Sequence, residues 1–365
     1  MNRVLRALWP VLSLMLLVAA IAVAASGGSE IVQRQVTYGL IELIAVVALY
    51  IFVGNSGLLS FGNVSFMAIG AYVSALLTMR PASKGMLLPG LPELISSAQW
   101  PVIPAAIAGG LVASAFAFLA GIPLMRLSGI AASIATFAVL EIVYIGAGNW
   151  TDVTGGQNSL IGLPIYSDIW VCLIWSLITI ATAFIYQETR SGLLLRASRE
   201  DIVAARAAGV NVHRHRLVSF VISAFFSGIA GVLLGHFLGT VRIETFYLDL
   251  TFAILAMLVV GGMGSLAGAV IGAIVIAVLT EALRRVEAGV DFGIFAVGAL
   301  PGLGDAVLAL AMLLIILFRP KGLSQGREIT WPFRAERPSS SKNPSESLAD
   351  GSRMAPRPMI SKPES

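Results

Sequence analysis

Charged residues are scarce in this sequence, and cysteine is almost absent. Asp, Glu, Lys and Arg make up 12% of the 365 residues, against about 25% in a typical soluble domain. Hydrophobic residues make up 57% and the mean hydropathy is +0.87, a balance that a water-exposed globular surface does not tolerate. The lone Cys172 excludes a disulfide framework within the chain. The composition therefore indicates an integral membrane protein.

Motifs for covalent chemistry are also missing. The sequence has no Gly-Lys-Ser/Thr phosphate-binding loop, so we expect that the chain does not hydrolyse ATP and is not an enzyme. His213 and His215 flank Arg214, and adjacent cations disfavour a metal ion. We expect no metal site and no cofactor. The basic residues lie in loops and in the tail, so we expect no nucleic-acid partner.

Long apolar runs dominate what is present. Runs of roughly 18 or more apolar residues can cross a bilayer as helices, and lipid offers the backbone no hydrogen-bond partners. The runs are uniformly apolar rather than alternating, which excludes a β-barrel. The sequence predicts an all-α, polytopic transmembrane bundle of about ten spans. The predicted spans are 8–25, 36–53, 63–79, 101–125, 130–148, 169–187, 217–240, 248–260, 265–283 and 303–318.

The positions of Lys and Arg predict the orientation, because cytoplasmic loops carry the excess. With a cytoplasmic N-terminus, more basic residues fall inside than outside, and an even span count places both termini in the cytoplasm. The inner set is Arg3, Arg6, Arg126, Arg190, Arg196, Arg199, Arg206, Arg214, Arg216, Arg319 and Lys321; the outer set is Arg34, Arg80, Lys84, Arg242, Arg284 and Arg285.

The two ends differ from the core. Residues 1–35 hold the first transmembrane helix and the N-terminal region. Ala22-Val23-Ala24 is typical of a signal-peptide cleavage site, but we expect a retained helix because it completes the ten-span topology. Residues 36–322 form the membrane core. Residues 323–365 are rich in Ser, Pro and charge, which predicts a disordered cytoplasmic tail.

The segment 188–216 is the longest charged stretch between spans. Ser198 with Asp201 three residues later predicts a capping box and a helix over 199–208. Gly209 then stands where a glycine cap belongs. A small-faced cytoplasmic helix is suited to docking into a partner, but a solvated loop fits the same residues.

This segment resembles the Glu-Ala-Ala…Gly loop of ATP-binding-cassette (ABC) permeases. Glu200, Ala204, Ala205 and Gly209 carry that likeness. Its wider context resembles the M-type permease of the branched-chain amino acid importer family. The further matching pieces are Arg190-Ser191-Gly192, Gly57-Leu58-Leu59-Ser60-Phe61-Gly62, Gly70-Ala71-Tyr72, Arg126-Leu127-Ser128-Gly129, Thr154-Gly155-Gly156, Gly162-Leu163-Pro164 and Gly261-Gly262-Met263-Gly264-Ser265.

The resemblance implies a type II importer-like permease whose core domain is 36–322. It implies ATPase coupling through Arg199, Glu200, Asp201, Ala204, Ala205 and Gly209. The implied partners are an H-type second permease subunit, two ABC ATPase subunits, a periplasmic solute-binding protein and the lipid bilayer. The implied location is the bacterial inner membrane, with the chain crossing it many times.

Two glycine-rich segments are candidates for the translocation path. In 54–63, polar residues interrupt the apolar pattern, which indicates irregular backbone of the kind that lines a cavity; a tight turn fits as well. The candidates there are Asn55, Ser60, Gly62 and Asn63. In 149–164, Thr154, Gly155 and Gly156 lie near the entrance that the family implies, where an ordinary surface loop is the alternative. The segment 54–77 also loosely echoes 261–283, which fits an internal repeat or, equally, the common start of a membrane helix after glycine.

Glu42 and Glu141 place carboxyl groups within apolar spans. A charge at mid-bilayer costs about 2.5–3.5 kcal/mol on insertion scales, so such groups usually face the bundle interior. Glu141 is a candidate for the path, and structural pairing with buried donors is the alternative that we favour for both carboxyl groups.

The function that the resemblance implies is inward transport of branched-chain or related small amino acids, driven by separate ATPase subunits. An ABC permease for urea or another small polar solute remains an alternative. An ion-coupled secondary transporter using Glu42 and Glu141 is a further alternative.

Overall fold

The computed structural model describes residues 2–287, 319 and 322–324, and the fold within them is almost wholly helical. Two-residue strands β1 (Leu160–Ile161) and β2 (Thr240–Val241) form one small antiparallel pair, and Ile243–Phe246 forms a 3₁₀ turn. The helices are α1 (Asn2–Ser26), α2 (Glu30–Ser56), α3 (Asn63–Thr78), α4 (Pro81–Leu87), α5 (Glu93–Ser96), α6 (Val102–Leu124), α7 (Ile130–Asn149), α8 (Thr151–Thr154), α9 (Ile169–Glu188), α10 (Arg190–Glu200), α11 (Ile202–Ala207), α12 (Val212–Leu238), α13 (Leu248–Gly261) and α14 (Leu266–Glu287).

The predicted all-α membrane bundle is confirmed. Each of the first nine predicted spans coincides with a helix. Eight helices in the described part are long and apolar enough to cross a membrane; a ninth span results if α3 and α4, bent by 119°, count as one. The tenth predicted span, 303–318, and the tail beyond Ser324 lie outside the described residues, so the count of ten stays a prediction.

Small residues let the central helices approach closely. A Cβ built on Gly231 of α12 would lie 1.9 Å from the carbonyl oxygen of Met67 in α3. One built on Gly70 of α3 would lie 2.2 Å from the carbonyl oxygen of Gly228. Because lipid provides no hydrophobic drive between helices, such close contacts supply the packing. They explain why glycine stands at these positions of α3 and α12.

Polar side chains in this core bond one another. Asn63 Oδ1 accepts a hydrogen bond from the Ser227 hydroxyl at 2.7 Å, and the Ser223 hydroxyl donates to the Ala48 carbonyl at 2.6 Å. All three polar side chains are buried. Their pairing joins α2, α3 and α12, as membrane interiors require of polar groups.

The connections between spans meet at two ends of the bundle, as the alternating topology predicts. At one end, Arg199 Nη1 donates to the Gly54 carbonyl at 2.7 Å and Arg216 Nη1 to the Leu127 carbonyl at 3.1 Å. At the other end, β1 pairs with β2. The first end carries the connections predicted to be cytoplasmic, and the assignment of that end to the cytoplasm stays a prediction.

Candidate functional site: a docking helix linked to the α2 break

The predicted helix 199–208 is divided in two, which corrects the expectation. Asp201 has extended backbone (φ −147°, ψ 106°) between α10 and α11. Its Oδ1 accepts from Val203 N at 2.8 Å and Ala204 N at 3.0 Å, so Asp201 is the N-cap of α11. Ser198 lies inside α10 with its hydroxyl bonded to the Leu195 carbonyl. The capping box at Ser198 was wrong because the short Asp201 side chain competes for the next turn's amides.

The glycine cap at the other end of α11 is confirmed. Gly209 has φ +80°, a conformation that side chains with a Cβ rarely adopt. Val210 N donates to the Ala205 carbonyl at 3.0 Å and Gly209 N to the Arg206 carbonyl at 2.9 Å. These two bonds are the Schellman pattern. They fix α11 as a short helix with a defined end.

One face of α11 is open to a partner. At 100° per residue, Val203, Ala204 and Ala207 fall within a 100° arc; all three are exposed, Val203 at 78%. We call these three residues the α11 face. Ala205 points the other way and is 8% exposed, because it packs inside the chain itself. Glu200 is exposed, with 81% of its side chain accessible. Of the two alanines expected to couple, only Ala204 is available to a partner.

The preceding helix α10 is tied to the end of α2. The Arg199 guanidinium donates to the Gly54 carbonyl, and its aliphatic stem covers Gly57, where a Cβ would lie 2.7 Å away. Gly57 has φ +71° and ends α2. A second tie runs from the buried Tyr50 hydroxyl to Gln187 Oε1 at 3.0 Å, at the end of α9. Arg199 of α10 and Gln187 of α9 are thus both bonded to α2, close to the break that follows it.

The four candidates for the translocation path in and beside the break at 57–62 have different surroundings. Asn63 belongs to the core network, and Gly62 abuts α7, where a Cβ would lie 2.7 Å from the Thr136 carbonyl oxygen. Asn55 Oδ1 and the Ser60 hydroxyl are buried with no hydrogen-bond partner among the described residues. Buried polar atoms without partners are rare and invite water or a ligand. Asn55 and Ser60 are the better candidates for lining a path.

Thr154, Gly155 and Gly156 form a turn at the far end of α7. The Thr154 hydroxyl bonds the Trp150 carbonyl at 2.7 Å and accepts from Gly156 N at 3.3 Å. Both glycines have positive φ, +74° and +64°. The geometry of the turn is enough to explain why threonine and glycine stand at these positions. That these residues line the substrate entrance stays a prediction.

Glu42 and Glu141 each have a tyrosine partner, as structural pairing predicts. Glu42 is 8% exposed and hydrogen-bonds the Tyr38 side chain, one turn earlier. It lines a cavity of about 920 Å³ among α1, α2 and α14. Glu141 is half-buried and accepts the Tyr247 hydroxyl at 2.5 Å.

Comparison with known proteins gives one family and several relatives. Residues 31–317 match the family described as the permease component of the branched-chain amino acid transport system. The chain is 31% identical to the LivM permease protein of the high-affinity branched-chain amino acid transport system of Escherichia coli K12, covering 79% of this chain and 68% of that protein. It is 24% identical to the LivH permease protein of Salmonella typhimurium over 79% and 92% of the two chains. It is 27% identical to the guanosine ABC transporter permease NupQ of Bacillus subtilis over 58% and 69%. No solved structure matches.

Proposed function

Since this chain belongs to the branched-chain amino acid transport permease family and is a permease subunit of an ABC importer, we propose that it moves branched-chain or related small amino acids inward. Separate ATPase subunits supply the energy. The proposed partners are an H-type second permease, two ATPase subunits and a periplasmic binding protein. The proposed location of this multi-pass protein is the bacterial inner membrane.

The observation that carries the proposal is the connection from an exposed helix to the membrane core. The α11 face is open, and Asp201 and Gly209 fix both ends of α11. Arg199, at the end of the adjoining α10, holds the Gly54 carbonyl. An ATPase bound at the α11 face would therefore move α10 and the break after α2 together.

The mechanism is a two-state one. Closure of the ATPases on ATP displaces α11, and the Arg199 bond carries that displacement to the segment containing Asn55 and Ser60. The bundle then changes between inward-open and outward-open forms, and nucleotide shifts the population between them. No covalent step is required of this chain.

The test is uptake of labelled leucine into vesicles that contain the whole complex, the binding protein and ATP. We expect uptake that stops without ATP and persists when an ionophore collapses the ion gradients. Uptake that follows the gradient instead would favour the secondary transporter.

A second candidate substrate is a nucleoside, because one relative is a guanosine permease. The same uptake assay with labelled guanosine in place of leucine tests this candidate.

A further inference from the structure

The most unusual polar group in the bundle is Glu141, a carboxyl on a helix that the rest of the chain barely covers. Only 22% of the α7 span is buried, and the side chains of Ile134, Ile142 and Ile145 are between 56% and 65% exposed. Glu141 lies among them and is half-buried. A carboxylate within a span is costly against lipid. This part of α7 therefore faces protein or a water-filled path.

The groups around Glu141 form a defined cluster. The Tyr247 hydroxyl donates to Glu141 Oε1 at 2.5 Å. The ring of Tyr144, one helical turn beyond Glu141, stacks on the Tyr247 ring with centroids 4.0 Å apart and planes 17° from parallel. Among the described residues Tyr247 is the one hydrogen-bond partner of Glu141, so one bond holds the carboxylate in place and leaves acceptor capacity unused.

The charge of this cluster belongs to Glu141. The acidic residues nearest to Tyr247 along the chain are Asp249 and Glu244, and the Glu244 carboxylate lies 3.4 Å from Arg242 Nε. No cation pairs with Glu141 among the described residues. An uncompensated carboxylate beside two aromatic rings is the combination that recognises an ammonium group, through charge-assisted hydrogen bonds and cation–π attraction.

We propose that Glu141, held by Tyr247 and flanked by Tyr144, binds the α-ammonium group of the amino acid during its passage. The inference rests on the proposed function, because it needs an amino acid substrate and a path along α7. It assigns to this chain a step of substrate selection within the membrane, in addition to any selection by a binding protein. Tyr247 acts as a positioning residue for the carboxylate.

Glu141→Gln is the informative substitution. The amide keeps the shape and still accepts the Tyr247 hydroxyl, but it loses the charge. We expect ATP-driven leucine uptake by the complete complex to fall at least tenfold, while co-purification of the ATPases and ATP hydrolysis stimulated by the binding protein stay within twofold. Glu42→Gln is the matched control, because Glu42 is the other in-span carboxyl with a tyrosine partner; its uptake should stay within twofold.

Two further variants separate binding from structure. Glu141→Asp keeps the charge and should retain more uptake than Glu141→Gln, even if both lower the melting temperature of the complex. Tyr247→Phe removes the hydroxyl that positions the carboxylate, and we expect it to raise the KM for uptake more than it lowers kcat. Wild-type uptake by Glu141→Gln, or equal loss in the Asp and Gln variants, would overturn the inference. Absence of leucine uptake by the wild-type complex would instead count against the proposed function.

Discussion

Arg199→Ala separates attachment of the ATPase from transmission of its motion. Arg199 lies at the end of α10, outside the α11 face, and its Nη1 donates to the Gly54 carbonyl at 2.7 Å. Removing the guanidinium leaves the α11 face intact and breaks the bond to α2. We expect the variant to bind its ATPase normally and to transport poorly.

The magnitude follows from that one bond. A hydrogen bond to a charged group contributes about 1.5–3 kcal/mol. The Arg199 side chain is 35% exposed, which places the bond near the lower end of this range. The contact with Glu200 is 3.9 Å long, and 81% of the Glu200 side chain is exposed, so it adds about 0–1 kcal/mol at most. A loss of about 1.4 kcal/mol is a factor of ten. We therefore expect coupled uptake to fall roughly tenfold.

The assay compares ATPase co-purification with ATP-driven uptake for each variant. Arg190→Ala is the matched control, because Arg190 is an exposed arginine on the same helix; it should behave as wild type. Arg199→Lys keeps the positive charge but loses the planar guanidinium, so its ATP-driven uptake should lie between that of wild type and that of Arg199→Ala. Unchanged uptake in Arg199→Ala would refute the link, and loss of ATPase binding would place Arg199 in the docking surface instead.

Three further predictions concern packing and topology. Gly231→Ala inserts a methyl against backbone and should cost about 1–3 kcal/mol, seen as a lower melting temperature; Gly146→Ala, where a Cβ meets nothing within 4 Å, should not. Lys84 is fully buried and donates to two carbonyl groups, so Lys84→Met should destabilise by about 1–3 kcal/mol and expose residues 81–98 to protease. Single cysteines at Ser159 and Ser341, in a background without the native cysteine, should label from opposite sides of intact cells; labelling of both from outside would contradict the orientation.

The helices were predictable because lipid requires long apolar runs. The prediction of 130–148 matches α7 at Ile130–Asn149 within one residue. The cap at Gly209 was predictable for a similarly local reason: a glycine after an alanine-rich run suits the left-handed conformation that ends a helix.

The features that the sequence predicted wrongly, or did not predict, depend on tertiary structure. Ser198 and Asp201 both suit an N-cap, and only the folded chain shows that the helix breaks at Asp201. The side of α11 that Ala205 occupies depends on how α11 packs on α12, which a six-residue stretch does not encode. The bond from Arg199 to Gly54 joins residues 145 positions apart. Gly54 and Gly57 are the one signal in the sequence that another part of the chain packs closely against the end of α2.

Ala204→Glu tests the central claim most directly, because it places a bulky charge on the α11 face while leaving Asp201, Gly209 and the Arg199 bond in place. The expected penalty for burying an unpaired charge in an interface is about 2–5 kcal/mol, more than a tenfold loss of affinity. Ala197→Glu, an exposed alanine on α10 outside that face, is the control. The measurement is co-purification of the ATPase from detergent-solubilised membranes, followed by ATP-driven uptake. We predict that Ala204→Glu loses both while Ala197→Glu keeps both; normal ATPase binding and uptake by Ala204→Glu would contradict the account.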